Sequence, residues 1–138
     1  MKIISQFLIT IFFSLILTHE RAYSSENIKI GLMVPLTGEY KSIGKSILNA
    51  TKLAINKINN DNVLIVPKDT KGNPEITLKV AKELRDNDVK IVIGPLFYKN
   101  LIYLDELNEV TFLSLSNTNI NNPKNVISGG INAISQIN

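Results

Sequence analysis

Short apolar runs alternate with longer amphipathic stretches along this 138-residue chain. Ile28 to Val34 is apolar, follows polar residues and stops at Pro35, which predicts a strand. Ile43, Ile47, Ala50, Ala54 and Ile58 then recur at helical spacing, with Lys45, Lys52 and Lys57 mostly on other faces. That pattern predicts an amphipathic helix over 42–59, closed by Asn59-Asn60-Asp61-Asn62. Val63 to Val66 predicts a second strand, and Pro67 to Gly72 a loop. Asn73-Pro74-Glu75 is a helix start: Asn caps, Pro suits the first helical position, and Glu sits at the positive end of the dipole. Ile76, Val80, Ala81 and Leu84 form the buried face of that helix, and 85–88 closes it. A strand over 90–93 turns at Gly94-Pro95. A short helix near 99–108 carries Leu101, Leu104 and Leu107, and a strand follows over 111–115. Residues 116–125 are polar and Asn-rich, hence a loop, and 126–131 has the composition of a further strand.

Strands alternating with helices predict an α/β fold, a three-layer open parallel sheet with helices on both faces. Right-handed crossovers bring the loops after the first four strands to one edge of the sheet. Ligands of open α/β sheets bind at that carboxyl edge. The candidate ligand-binding residues are therefore Thr37, Gly38, Tyr40 and Ser42 after the first strand, and Asp69 and Thr70 after the second. Leu96 and Tyr98 follow the third; Ser116, Asn117 and Thr118 follow the fourth.

The first residues change the picture. Lys2, the apolar stretch 3–17 and the small-x-small pattern Ala22-Tyr23-Ser24 form a secretory signal peptide over 1–24. Its apolar run is short for a bilayer span of about 20 residues, so no membrane span is expected after cleavage. The expected compartment lies outside the cytoplasm. Cys is absent, which closes disulfides, thiolate metal sites and a lipoprotein anchor. The only His, His19, leaves with the signal, so neither a Ser-His-Asp triad nor a His-based metal site can form in the mature part. No catalytic residue, metal or cofactor is expected. The net charge of +3 falls to about +2 without Lys2, Glu20 and Arg21, too small and dispersed for a nucleic-acid partner.

Two motifs invite other readings. Gly38 to Ser46, GEYKSIGKS, nearly matches a phosphate-cradling loop, but five residues separate its glycines where that loop has four. Its function depends on exact backbone curvature, so Gly44 is read as allowing close packing of the first helical turn. Asn49-Ala50-Thr51 is a formal glycosylation sequon, but it lies inside a predicted helix and is read as ordinary helix surface.

Four segments in order, IKIGLMVPLTGEYKSIG at 28–44, KDTKGNP at 68–74, VKIVIGPL at 89–96 and TFLSLSN at 111–117, resemble the type I periplasmic binding proteins of the leucine/isoleucine/valine-binding kind. The likeness runs from Ile28 to about Gln136. It implies two α/β lobes that clamp a small ligand, with residues 25–138 as a truncated first lobe and NVISGGINAISQ at 125–136 as the first crossing. It implies a non-catalytic module that captures a small polar or amino-acid-like solute for an ABC permease. Solute-binding members often carry an aromatic residue near the position of Ile43, and Ser or Thr where this chain has Tyr98 and Lys99. IGPL at 93–96 with SLSN at 114–117 looks more like the penicillin-binding protein activator branch. That branch implies a different partner, a periplasmic cell-wall synthase engaged through protein contacts.

Overall fold

The computed structural model describes residues 27–118 and 121–130. The signal over 1–24 and the crossing beyond 130 lie outside them. Among the described residues five strands form one sheet: β1 (Ile28–Val34), β2 (Val63–Asp69), β3 (Ile91–Ile93), β4 (Thr111–Ser114) and β5 (Val126–Ser128). Their order is β2-β1-β3-β4-β5 and every pairing is parallel. Helix α1 (Lys41–Ile58) joins β1 to β2, and α2 (Pro74–Asp86) joins β2 to β3. The expected parallel α/β sheet is present.

The order reverses direction after β2, and handedness turns this reversal into a division of layers. A right-handed crossover from β1 out to β2 and one from β2 back over β1 to β3 lie on opposite faces. The α2 face holds the core. Gly31, Met33, Val92, Phe112 and Val126 share it by register. A Cβ on Gly31 would meet a Leu84 methyl at 2.8 Å, so the glycine lets α2 sit close to β1. Val80, Ala81, Leu84, Val89, Leu101, Leu104, Leu107 and Val110 complete the buried cluster. The Asn73 side chain caps α2 by accepting from Ile76 N at 3.0 Å, as its sequence predicts.

Three expectations need correction. Strand β2 continues through Pro67 and Lys68 to Asp69, where the sequence predicts a loop from Pro67. β2 is an edge strand, and Thr70 N–H is the one that reaches Val34 O at 3.1 Å. By alternation the nitrogen of Pro67 faces the open edge, where a missing N–H costs the ladder nothing. The helix expected near 99–108 is two 3-10 turns, Tyr98–Leu101 and Leu104–Glu106, broken at Tyr103 with φ of 71°. Its leucines recur every third residue, and three residues per 3-10 turn place all three inward. Finally, α1 packs through Gly44, with Ile47, Leu48, Thr51 and Ile55 half-buried. Ile43, Ala50, Ala54 and Ile58 of the apolar stripe are exposed.

The α1 face is correspondingly thin. Helix α1 lies over β1 and β2, while Ile91, Leu113 and Ile127 on the same face are exposed. Phe112 and its neighbour Leu113 therefore have opposite surroundings, at 0% and 36% exposure. Phe112→Ala is expected to cost about 3–5 kcal/mol. Leu113→Lys is expected to stay within about 0.5 kcal/mol and to reduce self-association through the apolar face. Urea denaturation and sedimentation velocity check both; equal stability losses at the two positions contradict the assignment of faces.

Candidate functional site

All four strand-to-crossover loops end at the carboxyl edge of the sheet, because every strand runs the same way. Asp69, the last residue of β2, holds the loop after β1 in place. Its Oδ1 accepts from Leu36 N at 2.8 Å, Thr37 N at 3.3 Å and Lys71 N at 2.9 Å, and its Oδ2 accepts from the Thr37 hydroxyl at 2.5 Å. Burial pushes the carboxyl pKa up, but the Thr37 hydroxyl and the amides of Lys71, Leu36 and Thr37 outweigh it and hold the pKa below the ordinary value. Thr37 and Asp69 are thus bound to each other. Thr70 is buried, and its hydroxyl accepts from Gly72 N at 3.4 Å inside the turn.

A second brace is aromatic. Tyr40 meets Phe97 edge to face, with centroids 4.6 Å apart. A Cβ on Gly72 would lie 3.2 Å from the Tyr40 ring and 3.3 Å from that of Phe97. The glycine, at φ of 69°, lets both rings rest on its backbone and joins the loops after β1, β2 and β3. Gly44 is equally constrained. A Cβ there would fall 1.8 Å from Pro35 O, so the near match to a phosphate loop is a close helix-loop contact, as its sequence reading expects.

Ser114 and Ser116 organise the other half of the rim. Ser114 Oγ donates to Pro95 O at 3.3 Å and accepts from Ser116 N at 3.1 Å. Ser116 Oγ accepts from Thr118 N at 3.2 Å. Gly94, at φ of 109°, passes so close to β1 that a Cβ would sit 2.2 Å from Met33 O. Between these loops lies an open groove of about 360 Å³. It gathers Leu96, Tyr98, Ser116, Asn117 and Thr118 of the predicted set and adds Ile43, Phe97, Leu115 and Gly130. Thr37, Gly38, Tyr40, Ser42, Asp69 and Thr70 stand outside its lining, on the neighbouring part of the same rim. Phe97 and Leu115 escaped the sequence reading because apolar residues beside a strand end look like core.

Among the described residues that line it, the groove has apolar walls, hydroxyl and amide groups, and no ionised side chain. Among the described residues no cluster of three or more His, Cys, Asp or Glu could hold a metal ion, and no helix is long and apolar enough to cross a membrane.

Residues 27–127 match the family model described as periplasmic binding protein. The chain belongs to this family. Similar solved structures carry the same fold. One is the branched-chain amino acid transporter substrate binding protein LivJ from Streptococcus pneumoniae, in complex with isoleucine. It is 22% identical, with a TM-score of 0.60, over 70% of this chain and 30% of its own. A solute binding protein of an ABC transporter from Rhodopseudomonas palustris, in complex with 3,4-dihydroxy benzoic acid, is 31% identical. Its TM-score is 0.60, over 65% of this chain and 27% of its own. The LpoA C-domain from Haemophilus influenzae, a regulator of PBP1A, is 22% identical with a TM-score of 0.61, over 75% of this chain and 32% of its own. The chain thus spans about a third or less of each of these relatives. No curated protein matches it.

The Asp69 brace gives this periplasmic binding protein an acid-sensitive rim. The folded-state pKa is depressed, so the stabilisation is complete above the unfolded value of about 3.9 and is lost as pH falls through the lower folded value. Asp69→Asn is expected to cost about 2 kcal/mol at neutral pH through weakened charge-assisted hydrogen bonds. That difference should narrow only below about pH 4. Denaturation of both proteins across pH 3–7 checks this; a gap independent of pH removes the charged brace.

Proposed function

We propose that this chain is an exported, non-catalytic binding module. Residues 1–24 direct it across the inner membrane and are removed, and residues 25–138 act as the first lobe of a leucine-binding-type protein. The rim groove takes a small polar or amino-acid-like solute for an ABC permease. The observation that carries this reading is the groove itself: hydroxyl and amide groups of Tyr98, Ser116, Asn117 and Thr118 beside Ile43, Leu96 and Leu115. Such a mixture suits a ligand with a polar head and an apolar body. Thr37, Gly38, Tyr40, Ser42, Asp69 and Thr70 belong to the rim that borders it; Asp69 acts by fixing Thr37. LivJ holding isoleucine and the Rhodopseudomonas protein holding a dihydroxybenzoate support a solute of this size and chemistry.

A second reading keeps the fold and changes the partner. The LpoA likeness extends over 75% of this chain, and Tyr98-Lys99 replaces the small hydroxyl residues expected of a solute binder. In this reading the rim and its flank contact a penicillin-binding protein and regulate peptidoglycan synthesis.

Thermal-shift and calorimetric titrations with branched-chain amino acids, other amino acids and hydroxybenzoates separate the two. Solute capture predicts a stabilising shift with one class, weakened about tenfold or more by Asn117→Ala, a loss of about 1.4 kcal/mol. No shift with any compound, together with retention of a penicillin-binding protein periplasmic domain in a pull-down, favours the activator.

A further inference from the structure

A larger groove, about 630 Å³, lies between the 3-10 segment and the loop before β5 and meets the rim groove at Tyr98. We propose that it is a second binding site, for a neutral saccharide. Its two sides are tied together by Asn125, whose Nδ2 donates to Leu104 O at 2.8 Å, Leu107 O at 2.9 Å and Val110 O at 3.3 Å. The groove is therefore preformed, and its size is within the usual range for small-molecule sites, about 300–1,000 Å³.

Its chemistry selects the ligand class. Tyr98 and Tyr103 line it, 40% and 55% exposed. Tyr103 stands at φ of 71°, a left-handed conformation unusual for a bulky residue, which presents the ring beside the groove rather than in the leucine core. Exposed flat rings suit the C–H face of a sugar. Asn108 and Asn121 add paired donors and acceptors for hydroxyl groups. Among the described lining residues one carboxylate, Asp105, is matched by one ammonium, Lys124, so they carry no net charge to select an ionic ligand.

The test titrates the whole chain, by NMR or calorimetry, with maltose, cellobiose and N,N′-diacetylchitobiose up to ~10 mM, enough to saturate a Kd near 1 mM. At least one disaccharide should bind. Tyr103→Asn, which keeps the left-handed backbone accessible, and Asn108→Ala should each weaken it about tenfold or more, equivalent to 1.4 kcal/mol, with unchanged circular dichroism. Tyr103→Phe should retain binding. Asn117→Ala, in the rim groove, should leave sugar affinity unchanged, which separates this site from solute capture. Absence of binding by all three sugars overturns the proposal. So does sugar affinity indifferent to both Tyr103→Asn and Asn108→Ala.

Discussion

The handedness of parallel crossovers is the constraint on which this lobe depends. A parallel pair cannot be joined by a tight turn, so each connection must cross a face of the sheet. With β2 on one side of β1 and β3 on the other, right-handed crossings are forced onto different faces. The same reversal separates the loop after β1 from that after β3 and opens a crevice at the carboxyl edge. Binding grooves in open α/β sheets arise at such points. Site geometry here is a consequence of chain topology before any side chain is chosen.

Side chains then stiffen the loops that topology delivers. Asp69 does this with charge, collecting three backbone amides and one hydroxyl. Gly72, Tyr40 and Phe97 do it by packing, and Ser114 and Ser116 by neutral hydrogen bonds. Braces of this kind leave Tyr98, Asn117 and Thr118 at the groove supported by fixed backbone. They also explain why several polar rim residues are structural. A carboxylate that accepts four protein hydrogen bonds has little capacity left for a ligand.

The two faces of the sheet are unequal. Beneath α2 and the 3-10 turns lies a continuous apolar cluster from Met33 to Val126. On the other face α1 spans only β1 and β2, and Ile91, Leu113 and Ile127 remain open. The Lys68–Glu83 pair at 2.7 Å fastens β2 to α2 but is only part-buried and adds little stability. Burial of apolar area on the α2 face dominates the energetics.

Strand positions, strand direction and the cap of α2 were legible in the sequence because each rests on local signals: short apolar runs, the βα alternation and Asn73-Pro74. So was the role of Gly44, since one extra residue already excluded a phosphate cradle. The end of β2 was not, because Pro67 breaks a central strand and only the sheet order makes it an edge. Nor was the packed side of α1, whose apolar residues surround much of the helix; its partner on the sheet, not its own periodicity, chooses Gly44, Ile47 and Thr51. The grouping of rim residues divided the same way. Sequence placed the candidates at strand ends, while three-dimensional packing decided that Leu96, Tyr98, Ser116, Asn117 and Thr118 share a groove and that Asp69 and Thr37 satisfy each other. Local propensity acts between neighbours along the chain; the pairing of a carboxylate with an amide thirty-three residues away depends on folds that bring distant segments within a few ångströms.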